Sequence, residues 1–199
     1  MIINKLEQSI FGVGDKLLNH NFSNKYGYAA WLSQAYYFVR HSTPMLALSA
    51  GLSVDNRPYH LRCIEHLSEE KGHDKLLLND LKTLGYNISN FPELAATKAL
   101  YQTQYYWIQH KNPISFLGYI VLLEGLAIHY GAKIYSEIKK FPGNSFIEIH
   151  TEDDVEHLKR AFQMIESLPS HEQKLIIENC ELSAYLYKSM LNDLGSSTA

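Results

Sequence analysis

Apolar residues recur at helical spacing almost from end to end of this chain, and no segment shows the strict alternation of a half-buried strand. Only 6 Pro and 11 Gly interrupt that pattern, so the fold class it dictates is all-α. Ile3, Leu6, Ile10, Val13 and Leu17 form the first stripe. The periodicity predicts seven helices, over about 2–19, 26–50, 58–84, 91–110, 113–140, 145–167 and 171–194. Pro44 should kink the second or force a short irregular turn, and Gly85 should close the third with a left-handed cap. Asn90-x-x-Glu93, Ser145-x-x-Glu148 and Ser170-x-x-Gln173 read as capping boxes for the fourth, sixth and seventh. Short connections predict one bundle domain over residues 1–199, with 195–199 as a frayed tail.

The bulk properties exclude several function classes. A formal charge of −3 and scattered basic residues argue against nucleic acid or an anionic membrane as the main partner. No apolar run approaches the roughly 18 residues that span a bilayer, and the N-terminus lacks a signal peptide's basic-then-apolar order. Cys63 and Cys180 are too few for a disulfide framework. The expectation is a cytoplasmic protein that binds a small molecule, with a homodimer as the default assembly.

Two stretches repeat one spacing, His66-x3-Glu70-x2-His73 and His150-x3-Asp154-x2-His157. On a helix, positions i, i+4 and i+7 fall within an arc of about 60°, so each stretch aims two imidazoles and a carboxylate the same way. Glu70-x-x-His73 is also the carboxylate–imidazole pair of carboxylate-bridged di-metal bundles. A solvated charged face would show the same short match. Gly72 within the third helix is best explained by close approach of another element. In the second stretch, Thr151-x-x-Asp154 is an alternative capping box that would leave His150 outside the helix.

Glu124 lies in the run Ile120-Val121-Leu122-Leu123-Glu124-Gly125-Leu126, with no Lys or Arg three or four residues away. A carboxylate so placed must reach water, pair with a cation or bind a metal. Glu70, His73, Glu124, His150, Asp154 and His157, with His66 and Glu69 in reserve, suit iron or manganese better than a structural zinc. A single 2-His-1-carboxylate iron site drawn from the same set is the other stoichiometry.

At these residues the chain resembles a known family. Phe146-x3-His150-x3-Asp154-x2-His157 resembles the last-ligand motif of the haem-oxygenase-like di-metal oxidases and oxygenases. His66-x2-Glu69-Glu70-x-Gly72-His73, followed by Asp80-Leu81 and Leu84-Gly85, resembles their earlier ligand helix, and Glu124 falls where they supply a middle carboxylate. The opening, from His20-Asn21-Phe22 through Trp31, Gln34 and Tyr36-Tyr37, is similar to the wider superfamily of thiaminase-type proteins and the pyrroloquinoline-quinone maturation oxidase. The resemblance implies a seven-helix haem-oxygenase-like fold, two Fe(II) or a manganese–iron pair, O₂ as co-substrate, and oxidation of a small organic molecule. His66 stands where members often place a Glu, which leaves Glu70 or Glu69 to take that role.

Within that reading Glu124 bridges the metals, Glu70 joins it at the reaction centre, and Tyr37, His41, Tyr105 and Trp107 line the substrate space. Two rivals stand beside it. A metal-independent thiaminase-type enzyme would depend on Cys63, Cys180 or Glu181. A non-catalytic metal-holding or interaction module would bind metal without reacting with O₂.

Overall fold

The computed structural model describes residues 2–197, apart from the side chains at 151–157, 196 and 197. Among the described residues there is no strand, and the chain forms nine α-helices and two short 3₁₀ turns. The two additional helices arise where two predicted helices are each divided.

α1 (Ile2–Leu17) buries Leu6, Ile10, Val13 and Leu17 on one face against the last helix and the long central one. α2 (Lys25–Val39) starts under Asn24, whose side-chain oxygen accepts from the backbone N–H groups of Tyr26 at 2.8 Å and Gly27 at 3.2 Å. Of the two outcomes expected at Pro44, the structure has the short irregular turn, a break at Arg40–His41 after which α3 (Ser42–Gly51) begins. Restarting there puts Pro44 in a first turn, where its missing N–H has no partner to lose.

The predicted third helix divides at Lys71–Gly72 into α4 (Arg57–Glu70) and α5 (His73–Thr83). Gly72 has φ +98°, and a β-carbon built on it would meet nothing within 4 Å. The glycine therefore serves a left-handed backbone and not the close helix contact expected of it. α6 (Ala95–His110) begins later than predicted. Asn90 instead pairs with Asn87 in a capping box around the 3₁₀ turn Ile88–Asn90, and Pro92 holds Phe91 extended.

After a 3₁₀ turn at Pro113–Phe116, α7 (Leu117–Ile138) runs through the core. The stretch Pro113–Ile138 is long and apolar enough to cross a membrane, with a mean hydropathy of 1.5 over 18 residues, contrary to the sequence reading. Of that 18-residue window 72% is buried by the protein, as in a core helix. α8 (Ser145–Ser167) and α9 (Ser170–Ser197) complete the bundle, α8 packing on α7 and α5, and α9 on α1, α7 and α6. The last helix thus includes residues 195–197, read as tail from the sequence.

Candidate metal centre

Four helices converge on one polar cluster inside this apolar core. α4 contributes Arg62, His66 and Glu70, α5 opens with His73, α7 supplies Glu124, and α8 brings His150. Glu70, His73 and His150 each offer a donor atom, all within 4.8 Å of one another. His73 Nδ1 lies 3.6 Å from Glu70 Oε2, and the His73 and His150 ring centroids are 4.6 Å apart. The break before His73 does not scatter these groups, so the convergence comes from packing and not from one helical face.

His150 is half-buried inside α8, which favours the helical reading over the alternative cap. Its Nδ1–H donates to the Phe146 carbonyl at 2.7 Å, an i−4 bond that leaves Nε2 to carry a lone pair. The start of α8 is capped from across the bundle. Asp80 on α5, 3% exposed, accepts from Ser145 Oγ at 2.7 Å and from the Phe146 backbone N–H at 2.9 Å. That replaces the predicted Ser145–Glu148 box and ties the helix of His73 to the helix of His150. Gly143, at φ +81°, allows the approach, since a β-carbon there would stand 2.5 Å from the Asp80 carbonyl oxygen. Glu148 accepts instead from Tyr135 Oη at 3.0 Å.

Beside the triad, His66 Nε2 lies 3.5 Å from Glu70 Oε1 and 3.7 Å from Glu124 Oε1. Arg62 Nη2 reaches the same Glu124 oxygen at 3.7 Å. Sequence reasoning missed Arg62, because the cation for Glu124 comes from another helix and not from a neighbour on its own. Gly125 does permit tight packing, as a β-carbon there would meet Ile10 at 2.5 Å. Burial opposes charge on Glu70, but contacts with His66 and His73 outweigh it and hold the carboxyl well below its ordinary range. Burial likewise works against the His66 proton, and Glu70 and Glu124 outweigh it and raise the group. Asp154 and His157, the remaining expected ligands, lie outside the described residues.

The cluster opens onto a cavity of about 460 Å³ walled mainly by apolar residues such as Trp31, Phe38, Leu46, Phe116, Ile120 and Leu123. Glu69 lines the same cavity without joining the triad. Among the described residues no Lys or Arg lines it. Tyr119 and Tyr187 do, neither expected from the sequence. Burial, then the Glu70 charge, pushes the Tyr119 phenol well up, and its buried hydroxyl has no hydrogen-bond partner among the described residues.

The four residues expected to line the substrate space are not in its wall. Trp31, Ala35 and Phe38 present the wall at helical spacing on α2 and Ser42 does so at the start of α3, while Tyr37 and His41 each stand one residue before a lining position. Tyr37 Oη donates to the Phe91 carbonyl at 2.9 Å, and His41 Nδ1 pairs with Tyr105 Oη at 3.0 Å. Trp107 sits half-buried on α6, also outside the lining. The groups a thiaminase-type reaction would need are elsewhere. Cys63 and Cys180 are buried, the latter thiol pushed up to about 12 chiefly by burial, and Glu181 is exposed and absent from the cavity wall.

Residues 29–188 match the family model described as "Iron-containing redox enzyme" among the haem oxygenases. No curated protein matches the chain. A domain of unknown function with a haem-oxygenase-like fold from Shewanella denitrificans OS217 superposes with a TM-score of 0.84 at 24% identity, over 98% of this chain and 93% of that one. A TenA homologue from Pseudomonas syringae pv. tomato DC3000 gives 0.82 at 12% identity, over 98% and 91%. A CADD-like protein of unknown function from Nostoc punctiforme PCC 73102 gives 0.70 at 16% identity, over 98% and 94%. At these identities the structures establish the haem-oxygenase-like fold.

Proposed function

Because this chain belongs to the iron-containing redox enzyme family, we propose that it is a non-haem iron oxidase or oxygenase that uses O₂ to oxidise a small organic molecule. The observation that carries the reading is the meeting of Glu70, His73 and His150, two imidazoles and a carboxylate, beside a cavity large enough for a small substrate. That donor set is the 2-His-1-carboxylate combination suited to ferrous iron. Iron held by these three residues would supply Lewis acidity and the electrons needed to reduce O₂.

The protein's own part is positional. Asp80 fixes α5 against α8, so the two imidazoles meet at a set distance. The His150–Phe146 bond fixes the ring tautomer, and apolar walls exclude water from the reacting groups. Glu124, 3.7 Å from His66 Nε2, would be the carboxylate for a second iron or manganese, with Asp154 and His157 as the further ligands expected from the sequence. Cys63, Cys180 and Glu181, the groups expected of the metal-independent rival, are not among the described residues that line the cavity.

The test is anaerobic loading with Fe(II), iron quantitation, and O₂ uptake followed by stopped-flow absorbance. Iron should bind, O₂ should be consumed, and both should vanish in Glu70→Ala and His150→Ala. A wild-type protein that retains no iron and gives a flat trace overturns the reading.

A further inference from the structure

Two further ligand-type groups of the cluster stand outside the triad, Glu124 and His66, and an unlike group, Arg62, reaches Glu124. Arg62 lies one turn before His66 on α4, with its side chain 12% exposed against 9% for Glu124. Its Nε and Nη2 are buried and find no hydrogen-bond partner among the described residues. A guanidinium cannot shed its charge by losing a proton, so a buried one needs a counter-charge. The Glu124 carboxylate, 3.7 Å from Nη2, supplies it. The oxygen facing Arg62 is also the one facing His66.

We infer that Arg62 competes with a second metal ion for Glu124, so that the two metal positions fill unequally. This rests on reading the cluster as a metal centre. The first position, Glu70–His73–His150, has its donor atoms gathered without a guanidinium among them. The second would add a divalent ion to a carboxylate that a permanent cation already neutralises, in an interior where charges are weakly screened. Without the guanidinium, less of the Glu124 charge is offset, and a divalent ion gains more from that carboxylate.

Mn(II) is a suitable probe, because electron paramagnetic resonance counts free ions and distinguishes isolated from spin-coupled bound ones. It is added anaerobically to the full metal-free chain. The wild type should take its second ion at least about 10-fold more weakly than its first. Arg62→Met should bind the second at least about 10-fold tighter than the wild type does, with a coupled signal, and Arg62→Lys should follow the wild type. Equal second-ion affinity in wild type and Arg62→Met, or a weaker one in the variant, overturns the inference. Two ions of equal affinity in the wild type overturn it as well, and leave the metal reading intact. A wild type that binds neither Mn(II) nor Fe(II) sinks the metal reading itself. Should Arg62→Met fail to fold, Zn(II) titration of wild-type protein carrying ¹⁵N-arginine decides. The Arg62 Nε–H resonance, identified by its loss in Arg62→Lys, should shift with the second equivalent, and a resonance that stays fixed overturns the competition.

Discussion

Two charged clusters of this bundle differ in how their charges are matched among the described residues. Around Glu93, Arg40 Nη2 stands 3.8 Å from one carboxylate oxygen and Lys98 Nζ 3.8 Å from the other. His41 stacks on Tyr101 at 3.9 Å beside them and pairs with Tyr105. One carboxylate thus serves two cations. In the cluster of α4, α5, α7 and α8, the described side chains include two carboxylates and three imidazoles, with the Arg62 guanidinium on Glu124. Ligand-type groups outnumber cations there among the described residues, and they line the cavity. Polar residues inside a helical bundle do not make a site by themselves; a surplus of ligand-type groups lining a cavity does.

The largest effect follows from that surplus. Glu70→Ala, His73→Ala or His150→Ala should lower iron affinity by more than the roughly 10–100-fold that loss of an outer-shell partner costs. Glu93→Ala should leave iron per chain unchanged after anaerobic loading and gel filtration. Equal loss of iron in Glu93→Ala would break the comparison.

Asp80 comes next, because it joins the two triad helices without touching the metal. Asp80→Ala removes the cap of α8 and should cost about 1–2 kcal/mol in denaturant unfolding. It should also weaken metal binding by about 10-fold, the scale of an outer-shell change. Ser145→Ala keeps the bond from the Phe146 N–H and should cost less, about 1 kcal/mol. A stability loss in Asp80→Ala with metal affinity intact would show that the latch holds the helix and not the site.

Titration should separate the clusters by sign. His66 is raised above 6.5, its carboxylate neighbours outweighing burial. Its stabilising contribution is therefore full below pH 6.5 and lost as pH rises through the folded value. His41 is lowered from 6.5, by burial first and the Arg40 charge second. Its contribution is present above pH 6.5 and lost as pH falls. Glu70, held low, keeps its contribution above the ordinary 4.5 and loses it only in strong acid. Melting curves of metal-free protein from about pH 5 to about pH 9 check this. His66→Leu should flatten the decline above neutrality, and His41→Leu the decline on the acid side. Two variants with the same pH profile would refute the assignment.

How much of this was legible in the sequence follows the range of each interaction. The helical stripes were legible because burial of Leu6, Ile10, Val13 and Leu17 is a local pattern. The triad was legible because Glu70, His73 and His150 are chemically unusual on helices, although the break at Gly72 was not: a left-handed glycine and a mid-helix glycine look alike in a string of letters. Arg62 and Asp80 were hidden for another reason. Each acts on a helix far along the chain, Asp80 on a residue 65 positions away, and no spacing rule reaches that distance. The aromatic lining was misread because neighbours on a helix differ by about 100°, so Phe38 faces the cavity and Tyr37 does not.

The smallest effect compares one hydroxyl from each region. Tyr105 Oη is paired with His41, and Tyr105→Phe leaves that ring nitrogen without its partner, at a cost of about 1 kcal/mol. Tyr119 Oη is buried beside the triad with no partner among the described residues, so Tyr119→Phe removes a desolvated hydroxyl and gives up no bond. Its stability should change by less than about 0.5 kcal/mol, in either direction. Denaturant unfolding of the two variants measures this pair directly, and turnover measures it again. If Tyr119→Phe is as stable as the wild type and slower in O₂ uptake, the hydroxyl is kept for something that enters the cavity, since the folded chain gains nothing from it. A Tyr119→Phe variant that loses as much stability as Tyr105→Phe would mean that this hydroxyl is satisfied within the protein, and that it is not held in reserve for a substrate.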